Sequence, residues 1–293
     1  MHMAKDDVDV KMQIPGAVIR QQMNPNKALW EKGDFTRIAQ SMREGGEDIV
    51  RHAGITPGMK VLDLGCGDGT TAIPAAKLGA TVLGVDIAAN LVAAGNRRAV
   101  QAGLSATCSF LEGDACDLRG IENKSFDRVI SVFGAMFAPK PFDVAREMVR
   151  VTRPGGRILM GNWIPDDPTL VAQILKISAS YSPPPVGFVS PMCWGSPNHV
   201  IERFGEAGIA WEGITCDRDS YVFDFDGSPA EFVDTFRQYY GPTMNAFDAA
   251  GKDGRTEELR SQLVALFQGQ NLCQYPGRTL IAATFLRVTV QVG

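Results

Sequence analysis

The chain has 293 residues, 45% hydrophobic and 21% charged, enough for one large core or for a core carrying an elaborated cap. Its formal net charge of −4 gives no basic surplus of the kind a nucleic-acid binder carries. Six cysteines without a C-x-x-C pair and only three histidines argue against a zinc knuckle, a small disulfide framework or a multi-histidine metal site.

Residues 1–30 are weakly patterned, and the opening Met1-His2-Met3 is set aside from the fold. Asp34 reads as the N-cap of a helix to about Ala53, with Ile38, Met42, Ile49 and Ala53 on its apolar side and Gly45-Gly46 as an interruption. A strand–helix alternation then begins. Strands are expected at 60–64, 81–85, 106–111, 126–132 and 157–161, and helices at 69–78, 90–102 and 141–151. Short apolar strands separated by amphipathic helices predict a doubly wound, mostly parallel α/β sheet. Beyond Trp163 the pattern changes. Pro165-Asp166-Asp167-Pro168 breaks the chain, a short helix runs to about Ala179, and Tyr181-Ser182-Pro183-Pro184-Pro185 is stiff and extended. Ser196-Pro197 opens another helix, 211–225 reads as a long strand, and Ser228-Pro229-Ala230-Glu231 as a capping box whose helix stops at Gly241-Pro242. A helix over 256–268 and a strand over 280–290 close the chain.

The most informative stretch is Asp63-Leu64-Gly65-Cys66-Gly67-Asp68-Gly69, which joins the first strand of the alternation to its helix. Backbone amides in such a turn are free to meet a ligand. The spacing is G-x-G-x-G rather than G-x-G-x-x-G, and acids at 63 and 68 are ill suited to a pyrophosphate. They suit a ligand with a positive end, such as S-adenosylmethionine. Asp63, Asp86, Asp114 and Ser131 all fall at or just after predicted strand ends, where open α/β sheets bind ligands.

These segments, in this order, resemble the class I S-adenosylmethionine-dependent methyltransferases of the small-molecule type 11, UbiE-like group, over roughly residues 35–163. The resemblance implies a Rossmann-like fold with a seven-stranded sheet and S-adenosylmethionine as cofactor. It implies cofactor contacts from Asp63, Gly65, Cys66 and Gly67, ribose contacts from Asp86, and Ile87 against the adenine. Gly113, Asp114 and Ala115 are expected at the adenine edge and Ser131 at the end of the fourth strand, while Arg153-Pro154-Gly155-Gly156 is a turn. The chain then divides into an N-terminal segment, 1–35, over the cofactor site, a cofactor-binding core, 36–163, and a remainder, 164–293. The remainder holds the rest of the sheet and helical cap insertions at about 164–205 and 226–278.

No catalytic residue is assigned, because the sulfonium already activates the methyl group and a general base is optional. No metal is expected. Trp30 and Phe35 are candidate shields, and Phe133, Met136 and Phe137 a candidate wall near the methyl group. Phe188, Trp194, Phe236, Tyr239 and Tyr240 make the expected cap aromatic, which suits an apolar or aromatic small molecule, though for any single one of them burial of the cap against the core is the stronger expectation. His199, Tyr181, Tyr239 and Tyr240 carry no assigned role. With no apolar run of membrane-spanning length and no secretory signal, a cytoplasmic protein is expected. A nicotinamide-dependent oxidoreductase and a non-catalytic cofactor-binding protein are the competing readings. The loop acids and glycine spacing count against the first.

Overall fold

Alternation of buried apolar strands with amphipathic helices builds the parallel half of the molecule, and a computed structural model describes residues 25–293. Expectations for residues 1–24 lie outside the described residues. In chain order the elements begin with α1 (Pro25–Glu31), α2 (Thr36–Ala39) and α3 (Arg43–His52). The alternation comprises β1 (Lys60–Leu64), α4 (Ala72–Lys77), β2 (Thr81–Asp86), α5 (Ala89–Gln101), β3 (Cys108–Glu112), β4 (Phe126–Val132), α6 (Pro141–Val151) and β5 (Thr152–Trp163). The remainder is α7 (Leu170–Tyr181), α8 (Pro197–Glu206), β6 (Ile214–Phe225), α9 (Pro229–Tyr239), α10 (Gly241–Lys252), α11 (Thr256–Gln270) and β7 (Thr279–Gln291).

The seven strands form one sheet in the order β3-β2-β1-β4-β5-β7-β6. β1 to β5 are parallel, and β7 runs antiparallel between β5 and β6. The strand order reverses between β1 and β4, so the crevice above those two strand ends is where this class of sheet takes ligands. Val61, Leu62, Leu64, Val129 and Ile130 are completely buried, as expected for strands covered on both faces.

Two sequence expectations are corrected and a third is extended. The 34–53 helix is divided by a 3₁₀ turn at Gln40–Met42 and not at the glycine pair. Gly45 and Gly46 are packing points instead: a Cβ on Gly45 would lie 2.8 Å from the Tyr221 ring, and one on Gly46 2.5 Å from Thr70. Asp34 still caps locally, its Oδ1 accepting the Thr36 amide at 3.2 Å and the Thr36 hydroxyl at 2.6 Å. β5 starts at Thr152, because the predicted Arg153–Gly156 turn is itself within the strand, bulged against β4. The capping-box helix does stop at Gly241-Pro242, as expected, but the same pair is not expected to open a further helix. It starts α10, with proline in the first turn where its missing N–H costs nothing. The Ser228 capping box is present, the hydroxyl accepting from Glu231 N–H and the Glu231 carboxylate accepting from Ser228 N–H, an arrangement worth about 1 kcal/mol.

Helices α9, α10 and α11 lie between β6 and β7 in sequence and pack on one another, and α10 and α11 also pack on α7. The α9–α10 junction meets the N-terminal elements closely. A Cβ on Gly241 would sit 2.6 Å from Leu29 O, and one on Gly33 2.4 Å from Tyr239 O.

Candidate functional site

The β1–α4 turn owes its shape to glycines in the left-handed region: Gly65 has φ +69° and Gly67 φ +54°. Gly65 also lies against the chain after β4, where its Cβ would be 2.7 Å from Gly134 and Ala135 backbone atoms. Ser131 holds the other side of this contact, donating to Leu64 O at 2.7 Å and accepting from Ala135 N–H at 3.0 Å. The turn and the β4 exit are thereby fixed to each other, and a cavity opens over them at the strand-order reversal.

That cavity is open at its mouth and is lined by both polar and apolar groups. Gly65, Cys66, Gly67, Asp86, Ile87, Gly113, Asp114 and Ala115 all line it. Asp63 and Ser131 do not line it. Asp63 stands behind the wall, fully buried, and Ser131 is used up in the contact just described. The eight lining residues come from the ends of β1, β2 and β3, sequence-distant points that the parallel sheet brings to one edge.

Asp86 is the acid at the end of β2. Its Oδ2 accepts Gly67 N–H at 2.8 Å and its Oδ1 accepts Ala88 N–H at 2.9 Å. Each oxygen retains a lone pair for a further donor. Burial raises its pKa, and the Ala88, Gly67 and Ile87 amides oppose that rise. Asp114 accepts Cys116 N–H at 2.9 Å. Asp63 takes the Thr71 hydroxyl at 2.5 Å on one oxygen, while Oδ1 is buried without a hydrogen bond. Desolvation pushes its pKa up to about 7, and the nearby Asp86 charge adds to that, with Thr71 and the Ala72 amide pulling the other way. Burial also raises the Cys66 thiol well above its ordinary value, with Asp86 and Asp63 as further causes, so Cys66 is no nucleophile at neutral pH.

The remaining wall is apolar and aromatic. Trp30, Phe35, Phe133, Phe137 and Tyr221 line it, together with Met42, Val132 and Leu91. Trp30 meets Phe137 edge-on at 5.0 Å and Phe35 at 5.7 Å. Phe133 has φ +59°, uncommon for a residue with a side chain, and stacks on Trp163 at 3.6 Å. Tyr221 donates its hydroxyl to Met42 O at 2.6 Å. Helix α1 lies across the mouth: Lys27 donates to Ile87 O at 3.1 Å and pairs with Glu112 at 2.5 Å, Asn26 donates to Phe137 O, and Glu31 accepts Ala89 N–H at 3.0 Å.

The expected shields Trp30 and Phe35 and the expected wall residues Phe133 and Phe137 thus face the cavity, while Met136 is buried away from it. The expected aromatic cap is corrected. Trp194, Phe236 and Tyr240 are buried, Phe188 is exposed, and neither these four nor Tyr239 lines the cavity. Trp194 packs on Phe204 and under the Arg203 guanidinium, and Phe236 on Phe232 and Phe267. Tyr240 backs Trp30 and Phe35 from outside, at 6.0 and 6.2 Å. His199 is exposed on α8. Tyr221 and Arg43 are the contributors that sequence reasoning missed. Arg43 holds buried Asp68 through two guanidinium nitrogens. Nothing in the pattern around residues 43 or 221 connects them to the glycine loop, because the connection is purely tertiary.

Among the described residues no cluster of metal-binding side chains occurs, and no helix is long and apolar enough to cross a membrane. A family model for the methyltransferase domain matches residues 62–160. An uncharacterised protein of Mycobacterium tuberculosis is 36% identical over 245 residues, 82% of this chain and 86% of the relative. A demethylmenaquinone methyltransferase of Paenarthrobacter aurescens is 30% identical over 180 residues, 57% of this chain and 68% of the relative. The structure of a geranyl diphosphate methyltransferase in complex with S-adenosylmethionine shares the fold, with a TM-score of 0.50 and 18% identity over 85% of both chains.

Proposed function

The chain belongs to the class I S-adenosylmethionine-dependent methyltransferases, and from that premise we propose that it methylates an apolar or aromatic small molecule on O, N or C. The observation that carries the proposal is one cavity whose lining joins two unlike sets of groups. Its polar groups are Asp86, Asp114 and the Gly65–Gly67 backbone, and its aromatic ones are Trp30, Phe35, Phe133, Phe137 and Tyr221.

The polar groups fit the cofactor's parts. The Asp86 carboxylate has lone pairs left for a ribose diol. Asp114 and Ala115 suit an adenine edge, Ile87 its face, and the backbone of Gly65, Cys66 and Gly67 the amino-acid end. Asp63, with a buried oxygen lacking a hydrogen bond, supplies negative potential from behind the wall for an ammonium group. When bound, S-adenosylmethionine supplies a methyl group already activated by its sulfonium for in-line displacement.

The residues of the chain then orient, exclude water and leave the proton to the acceptor. Orientation of this kind is worth about 7–11 kcal/mol. Among the described residues the aromatic part of the lining offers no base. Tyr221 keeps its proton and donates it in a hydrogen bond to the Met42 carbonyl, and burial raises its pKa. Asp68 is held by Arg43. The acceptor therefore brings its own lone pair or ionises in solution.

The test is a screen with methyl-labelled S-adenosylmethionine against matched acceptors, each apolar or aromatic scaffold carrying a hydroxyl, an amine or an acidic C–H, beside charged hydrophilic counterparts. Label transfer to apolar members supports the reading. Transfer confined to hydrophilic charged acceptors overturns the acceptor class.

A further inference from the structure

A second cleft lies on the far side of the glycine loop, between α2–α3 and α5. It is lined by Arg43, Arg97, Arg98, Gln40, Asn90 and Gln101, among others, with Asp68 at its base. Three guanidiniums around one cleft are notable in a chain whose net charge is −4. The two acids in its lining do not neutralise them freely. Asp34 lies beside Arg37 at 3.5 Å. Asp68 is buried and faces two arginines at once, Arg43 at 2.5 Å and Arg98 at 3.5 Å.

Counting donors sharpens the picture. A guanidinium has five N–H groups. Arg98 uses Nη1 on Asp68 O at 2.5 Å, which leaves Nε and Nη2. Arg97 is exposed and, among the described residues, makes no hydrogen bond, ion pair or ring contact, so its whole fork is available. Arg97 and Arg98 are adjacent on α5 and both reach the cleft. Partial burial lowers the pKa of Arg98, and the nearby Arg43 charge adds to this while Asp68 opposes it. An arginine fork matches the paired oxygens of a phosphate or carboxylate, and such bonds are about twice as strong as neutral ones.

We propose that the cleft formed by Arg43, Arg97 and Arg98 binds a small oxyanion, a phosphate or carboxylate group, at a site separate from the cofactor cavity. Arg97 and Arg98 supply the unspent N–H groups, and Asp68 holds Arg43 in place from below. The two cavities share only Asp68 in their linings, so both can be filled together.

The test is calorimetric titration of the full chain with inorganic phosphate and, separately, with malonate, at constant ionic strength, first alone and then saturated with S-adenosylhomocysteine. The site predicts saturable binding of one anion per chain that persists with S-adenosylhomocysteine present, and the stronger of the two anions identifies the favoured group. Arg97→Ala, an exposed position whose loss leaves the fold intact, weakens binding about tenfold, the loss of one charge-assisted contact. Arg157→Ala, outside the cleft, leaves it unchanged. Absence of saturable binding of either anion, equal affinity in Arg97→Ala, or displacement of the anion by S-adenosylhomocysteine overturns the proposal. Because the first anion titration is run without S-adenosylhomocysteine, failure of the anion site is distinguishable from failure of the cofactor site.

Discussion

Residues 60–132 and residues 164–278 each contain conspicuous side chains, and the two regions put them to different use. In the first, the residues that stand out in the sequence face a cavity: Gly65, Gly67, Asp86 and Asp114. In the second, the residues that stand out, Trp194, Phe236 and Tyr240, face the protein interior. The difference is physical. A turn that must pass close to another backbone and a carboxylate at a strand end are set by local geometry, which sequence displays. An aromatic ring lowers free energy wherever it is buried, and sequence does not say against what.

The largest expected effect lies in the second region. Trp194→Ala removes a side chain that is 1% exposed and costs about 3–5 kcal/mol of stability. Chemical denaturation reads the loss, while affinity of the remaining folded protein for S-adenosylhomocysteine stays unchanged. A loss of cofactor affinity at full stability would break the comparison. Next comes Gly65→Ala, where φ +69° and backbone atoms 2.7 Å from the new Cβ combine for about 2–4 kcal/mol, with loss of cofactor binding. Gly67→Ala has the same kind of φ but nothing within 4 Å, so it costs only about 1 kcal/mol.

The pH dependence of Asp63 sharpens the first region. Its folded pKa of about 7 lies above the ordinary value of 3.8, so the folded chain binds the extra proton. Its contribution to stability is therefore present below pH 4 and is lost as pH rises through 7. Asp63→Asn should flatten that part of the stability–pH curve in denaturant titrations. An ammonium in the cavity favours the charged form, so affinity for S-adenosylhomocysteine should rise between pH 6 and pH 8 in the wild type and not in the variant.

Smaller effects follow. Tyr221→Phe loses one buried hydrogen bond, about 1–2 kcal/mol, and should raise the acceptor KM with little change in cofactor affinity. Phe188→Ser, at a side chain that is 54% exposed, should change stability by less than about 0.5 kcal/mol.

The parallel alternation, the glycine turn and the strand-end acids were legible because each is a local pattern: alternating burial, positive φ, and an acid where a strand stops. The α9–α10 junction was not, since Gly241-Pro242 ends one helix and begins the next with the same residues. Gly45-Gly46 read as a helix interruption because their real role, receiving Tyr221 and Thr70, depends on chain far away. Ser131 and Asp63 were correctly placed at strand ends, yet one is tied to Leu64 and Ala135 and the other sits one layer behind the cavity wall. Which side of a strand end meets ligand is decided by how the neighbouring loops close.

The most direct test is calorimetric titration of S-adenosylhomocysteine into the wild type and into Asp86→Asn, with thermal melts to establish that both are folded. One site per chain is predicted, with affinity falling about tenfold or more in the variant, the value of one charge-assisted hydrogen bond. Equal affinity in the two folded proteins would contradict the placement of the cofactor at the end of β2.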